Sequence, residues 1–82
     1  MSGIYLPKIV ELDLVPDLYT LAHQEELEED VLNYLTRLAY LQDIRINILK
    51  NKFYTFALGF LFHQSAKVRE LILEITYIIS RH

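Results

Sequence analysis

From Glu25 onward the apolar residues recur at helical spacing. At about 100° per residue, Leu27, Val31, Tyr34, Leu38, Leu41 and Ile48 form one row. Leu32, Leu35, Ala39, Ile46 and Leu49 form a second. A polar stripe of Glu29, Asn33, Thr36, Tyr40, Asp43 and Asn47 separates their outer edges. The apolar rows cover roughly 200°, about twice the minimum stripe of a surface helix, so this helix needs more than one neighbour. Glu25, Glu26, Glu28, Glu29 and Asp30 crowd its start, and Arg45, Lys50 and Lys52 lie near its far end. Acid first and base last is the order the helix dipole favours.

The C-terminal segment carries a narrower stripe of Val68, Leu71, Ile72, Ile75, Ile78 and Ile79. Projected backwards, it meets Phe53, Ala57, Phe60 and Leu61 in phase, which allows one helix over residues 52–81. An outer row of Thr55, Gly59, Phe62, Ala66, Leu73 and Tyr77 mixes small residues with large apolar ones. Small residues permit close helix approach; the large ones would be exposed in a monomer.

Two places offer a reversal. Asn51 tolerates the left-handed conformation that ends many helices, and a turn there yields two arms, each near 40 Å at about 1.5 Å per residue. Ser65 is the other candidate, as an N-cap after His63 and Gln64. The row Leu32, Leu35, Ala39, Ile46, Leu49, Phe53, Phe56, Phe60 runs through Asn51 at heptad-like spacing and favours the later turn. The turn at Asn51 is preferred by a small margin.

Both prolines fall within the first sixteen residues, which sets residues 1–16 apart as an N-terminal arm, extended or irregular, from a helical domain over residues 17–82. Residues 10–14 (VELDL) alternate as a half-buried strand would. Asp13 is placed to cap a short helix beginning near Val15, with Pro16 in its first turn.

Composition sharpens this picture. Of 82 residues, 52% are apolar, with six Tyr and four Phe. A chain this short has a limited core, so the surplus points to self-association. Residues 52–62 (KFYTFALGFLF) concentrate it, yet supply too short an apolar run for a membrane span of about 20 residues. Charged residues interrupt the later apolar run as well. The absence of Cys excludes disulfides and thiolate zinc sites. The net charge of −3 argues against a general nucleic-acid binder. The N-terminus does not read as a signal peptide, and a cytoplasmic location is expected. Few Gly, no Cys and many Leu, Ile and Tyr suit a heat-tolerant host or its virus.

Chemical motifs are sparse. His23 and Glu26 share a face at i, i+3 with Glu29 and Asp30 following, but di-iron bundles use Glu-x-x-His pairs on several helices. A solvated helix start is the plainer reading, and no cofactor or metal is expected. His63 and Ser65 lack an evident carboxylate to orient the base, so no enzyme is expected. Arg45, Lys50 and Lys52 would gather at one end of a hairpin turned at Asn51 and could contact phosphates.

Residues 49–57 (LKNKFYTFA), following Arg45, resemble a helical segment of the GINS replication-factor subunits. The resemblance covers nine of the 82 residues, and no membership is drawn from it. It implies a place in a replication complex.

The expected fold is all-α: an N-terminal arm, then a long antiparallel helical hairpin pairing with a second copy into a dimeric helical bundle. The expected function is a non-enzymatic protein–protein interaction module, with Leu35, Ile46, Leu49, Phe53, Phe56, Phe60, Phe62 and Tyr77 at the interface. The alternative is a nucleic-acid-associated regulator or replication-complex subunit acting through Arg45, Lys50 and Lys52.

Overall fold

The structure, a computed structural model, describes residues 14–81. The expected arm lies almost wholly outside them, and with it the capping role of Asp13 and most of the strand-like alternation. All regular structure among the described residues is helical: α1 (Val15–Ala22), α2 (Glu28–Leu38), α3 (Gln42–Lys50), α4 (Phe53–Leu58) and α5 (Ala66–Arg81).

Helix α1 starts at Val15 with Pro16 in its first turn, as the pattern predicts. There the missing proline N–H is no loss, because first-turn N–H groups have no partner within the helix. Val15 and Ala22 face inward, with Leu18 and Tyr19 partly buried between them. Helix α2 opens on Glu28, Glu29 and Asp30 and closes near Arg37, the dipole-favoured order. Thr36, expected in the polar stripe, is buried instead. Its hydroxyl donates to the Leu32 carbonyl at 2.8 Å, so burial leaves no polar atom unpaired.

The two expected arms are each divided. The first breaks at residues 39–41, where Leu41 adopts extended geometry before α3. Neither Gly nor Pro marks this break. Arg45, one turn into α3, reaches back and donates from Nη1 to the Ala39 carbonyl at 3.0 Å. The second arm breaks at residues 59–65, so residues 52–81 do not form one helix. The longest dimension is 34 Å, too short for arms of about 40 Å. Among the described residues the four helices α2–α5 stand where two long ones were expected.

Helix ends fall at both candidate turn positions. Residues 51–52 separate α3 from α4, but Lys52, not Asn51, takes the left-handed conformation, at φ 58°. Asn51 stays at φ −91° and ties its side-chain amide to the Asn47 carbonyl at 2.8 Å. Ser65 caps α5, its Oγ accepting the Val68 N–H at 3.3 Å.

Helix α2 packs on α5 and on α1, while α3 packs on α4. The interior joins Leu32, Leu35 and Leu38 of α2 to Val68, Ile72 and Ile75 of α5, with Ile48 and Phe53 alongside. All six residues of the predicted α5 stripe are buried, and all six of the predicted outer row are exposed.

Candidate interaction surface

Residues 53–63 wind an aromatic series along one edge of the core. Phe53, Phe56 and Phe60 are buried, with successive ring centroids 6.1 and 5.0 Å apart. Helix α1 interleaves with them. Tyr19 stacks on Phe56 at 4.1 Å, and His23 stacks on Phe60 at 5.1 Å while meeting Phe56 edge-on. Offset and edge contacts of this kind add to the stability that area alone confers. The Tyr19 hydroxyl donates to the Ile48 carbonyl at 2.8 Å, near the end of α3, where that carbonyl also accepts the Asn51 N–H at 3.2 Å. Burial pushes the Tyr19 phenol well above its ordinary range.

His23, read as a partner of Glu26, is therefore an aromatic-packing residue. Among the described residues no group of three or more His, Asp or Glu is placed to hold a metal.

Beyond Leu58 the chain leaves helix, and from His63 it is held by a compact set of bonds. The His63 carbonyl accepts the Arg69 guanidinium. Its Nδ1 accepts the Ser65 backbone N–H at 2.9 Å, which places the ring proton on Nε2. Nε2 faces Glu28 Oε1, also at 2.9 Å. Sequence alone suggested no carboxylate near His63; Glu28, thirty-five positions earlier by chain number, supplies it across the fold. Only the packing of α2 on α5 brings the two together. His63 orients the loop by using both ring nitrogens, and Ser65 Oγ serves the helix cap.

This pinned loop presents Phe62, which is 96% exposed. Leu58 and Leu61, also exposed, flank it in sequence.

The eight expected interface residues divide evenly. Leu35, Phe53, Phe56 and Phe60 lie in the chain's own core, where they meet residues of α1, α2, α3 and α5. Ile46, Leu49, Phe62 and Tyr77 are exposed, with Arg81 over the Tyr77 ring at 5.5 Å. Sequence reasoning left Leu58 out, and it left Ile44 out of the core, where the structure buries it. The Ile44–Ile48 pair at i, i+4 was the available signal; its phase departs from the rows on α2 because of the break at residues 39–41.

The basic residues do not form one set. Arg45 is engaged with Ala39, whereas Lys50 and Lys52 are exposed beside the α3–α4 turn. Residues 49–57, which resemble a GINS helix, here close α3, turn and open α4.

Among the described residues no helix is long and apolar enough to cross a membrane. No protein-family model matches the sequence, and neither a curated protein nor a solved structure matches it.

Proposed function

We propose that this chain is a non-enzymatic helical interaction module that buries exposed apolar side chains against another polypeptide, most simply a second copy of itself. The observation that carries this reading is Phe62, an almost fully exposed ring on a loop tied down at the neighbouring His63. Removing such a ring from water is favourable. A loop already held in place also has little freedom left to lose on binding. One aromatic side chain buries about 150–250 Å², whereas a stable interface takes about 800 Å² per partner. Phe62 therefore acts with other exposed apolar groups, Leu58 and Leu61 first. A two-fold interface sets the same patch of each copy against the other, a role that exposed apolar side chains can fill from both sides. The non-catalytic reading draws support from the Glu28–His63–Ser65 set, whose groups hold the loop.

Light scattering after gel filtration tests this directly. The wild type is expected to elute as a dimer at tens of micromolar, and Phe62→Ser as a folded monomer, because the ring is almost wholly in solvent within one copy. The variant's Tm is expected to match that of wild type diluted to monomer and to lack the wild type's rise with concentration. A wild type that stays monomeric at every concentration rejects the homodimer.

The second reading, a nucleic-acid-associated regulator or replication-complex subunit, keeps Lys50 and Lys52 in its support and loses Arg45 to the Ala39 carbonyl. Salt-sensitive binding of labelled duplex or single-stranded DNA, abolished by Lys50→Glu with Lys52→Glu, would favour it.

A further inference from the structure

Two residues in this fold run against their own backbone. Lys52 is the only non-glycine at positive φ among the described residues. A Cβ crowds the following carbonyl in that conformation, so Gly or Asn would sit there with less strain. Gly59 is the reverse case. Its φ of −66° and ψ of −12° are ordinary right-handed helical values that any residue adopts. A Cβ there would lie 3.5 Å from the Phe56 carbonyl oxygen and 3.9 Å from His23 Cε1, both ordinary contacts. Alanine fits, and it would lower the entropy of the unfolded chain.

Lys52 and Gly59 line the same groove. It is an open cleft of about 380 Å³ between α1 and the α3–α4 segment. Tyr19 and Phe56 supply its aromatic surface, Thr20 and Thr55 its hydroxyls, and His23 lies beside Gly59. A side chain longer than alanine at residue 59 would occupy groove space. Departures from local preference tend to collect where a protein binds something, because stability is not the only demand on such residues. The groove has no Asp or Glu in its lining, although the whole chain carries −3.

We propose that this groove binds a small ligand with a flat apolar body and one anionic group, an aromatic carboxylate being the plainest case. The body lies against Tyr19 and Phe56. The anion meets the Lys52 ammonium, with the Thr20 and Thr55 hydroxyls in reach of its rim. The cleft is wide open, so the ligand keeps one face in solvent. Phe62, Leu58 and Leu61 are not in the groove's lining, so substitutions test the two proposals separately.

The test is a titration of the full chain with 2-naphthoate and with its neutral counterpart 2-naphthamide, followed by backbone amide NMR. Naphthoate is expected to shift Thr20, Lys52, Thr55 and Gly59 selectively. Lys52→Gln should weaken naphthoate about tenfold, the loss of one charge-assisted contact, and leave naphthamide unchanged. Gly59→Leu should remove binding of both, while its dispersed spectrum reports an intact fold. Should that variant unfold, Thr20→Phe closes the groove from the exposed wall of α1. Absence of shifts, shifts spread equally over Ile46, Leu73 and Tyr77, or indifference of naphthoate to Lys52→Gln would each overturn the assignment.

Discussion

Helix α5 and the α3–α4 segment are both rich in large apolar residues, yet they behave differently. In α5 one unbroken phase decides everything: Val68, Leu71, Ile72, Ile75, Ile78 and Ile79 go inward onto α2, while Leu73 and Tyr77 go out. In α3 and α4 the chain is cut twice within about twenty residues, and each cut resets which side chains face the core. Ile44 and Ile48 are buried, Ile46 and Leu49 exposed, and Phe53 and Phe56 buried again beyond Lys52. A helix long enough to hold its phase is legible from spacing alone. Short helices inherit their phase from turns, and those turns are held by side-chain bonds outside the helical repeat, one local, Arg45 to Ala39, and one across the fold, Tyr19 to Ile48.

The largest contrast to test lies in the aromatic series. Phe53 is 1% exposed, and Phe53→Ala should cost about 3–5 kcal/mol. That approaches the whole stability of many small domains, so urea denaturation is expected to find it largely unfolded at ambient temperature. A midpoint near that of the wild type would remove Phe53 from the core.

Next comes a pair within α5. Ile75→Ala should cost about 2–5 kcal/mol, while Leu73→Ala, two positions away on the opposite face, should stay within about 0.5 kcal/mol. Equal effects in urea would mean that α5 has no inner and outer face.

Smaller is the loop anchor. Ser65→Ala removes the α5 cap and should cost about 1 kcal/mol. Glu28→Gln should cost less, because the Glu28–His63 contact is partly open to solvent. Imidazole nitrogen NMR should find His63 protonated at Nε2 in the wild type; a proton on Nδ1 would contradict the bond from Ser65.

The subtlest effect is alkaline. The Tyr19 phenol is raised by burial, so the folded state holds its proton more tightly than the unfolded chain, whose phenol titrates near 10.0. The stability this contributes is fully present below that pH and is lost as pH rises through the folded value. Tyr19→Phe should therefore flatten the decline in urea midpoint between pH 9 and pH 11, both chosen to bracket about 10. Parallel declines in the two proteins would place the phenol in water.

Much of this fold could be read before the structure. Val15 and Pro16 open α1, Ser65 caps α5, and the α5 stripe lies where its spacing placed it, because each depends on neighbours within about one or two helical turns. The interaction surface was legible only in part. Phase alone put Phe62 in the outer row and Phe53 and Phe60 in the inner stripe, but it did not say that Phe56 and Phe60 would be covered by Tyr19 and His23 of this same chain and not by a second copy.

The sequence by itself determined the helical class of the described residues, the inner face of the last helix and an apolar content large for the chain's length. Those are consequences of backbone periodicity and of side-chain transfer from water, which act position by position. Tertiary structure alone decided that the helical pattern also breaks at residues 39–41, that Lys52 and not Asn51 takes the left-handed conformation, and that Glu28 meets His63. Those outcomes depend on which carbonyls and rings come within bonding distance once α1, α2 and α5 have packed, and no local pattern encodes such distances.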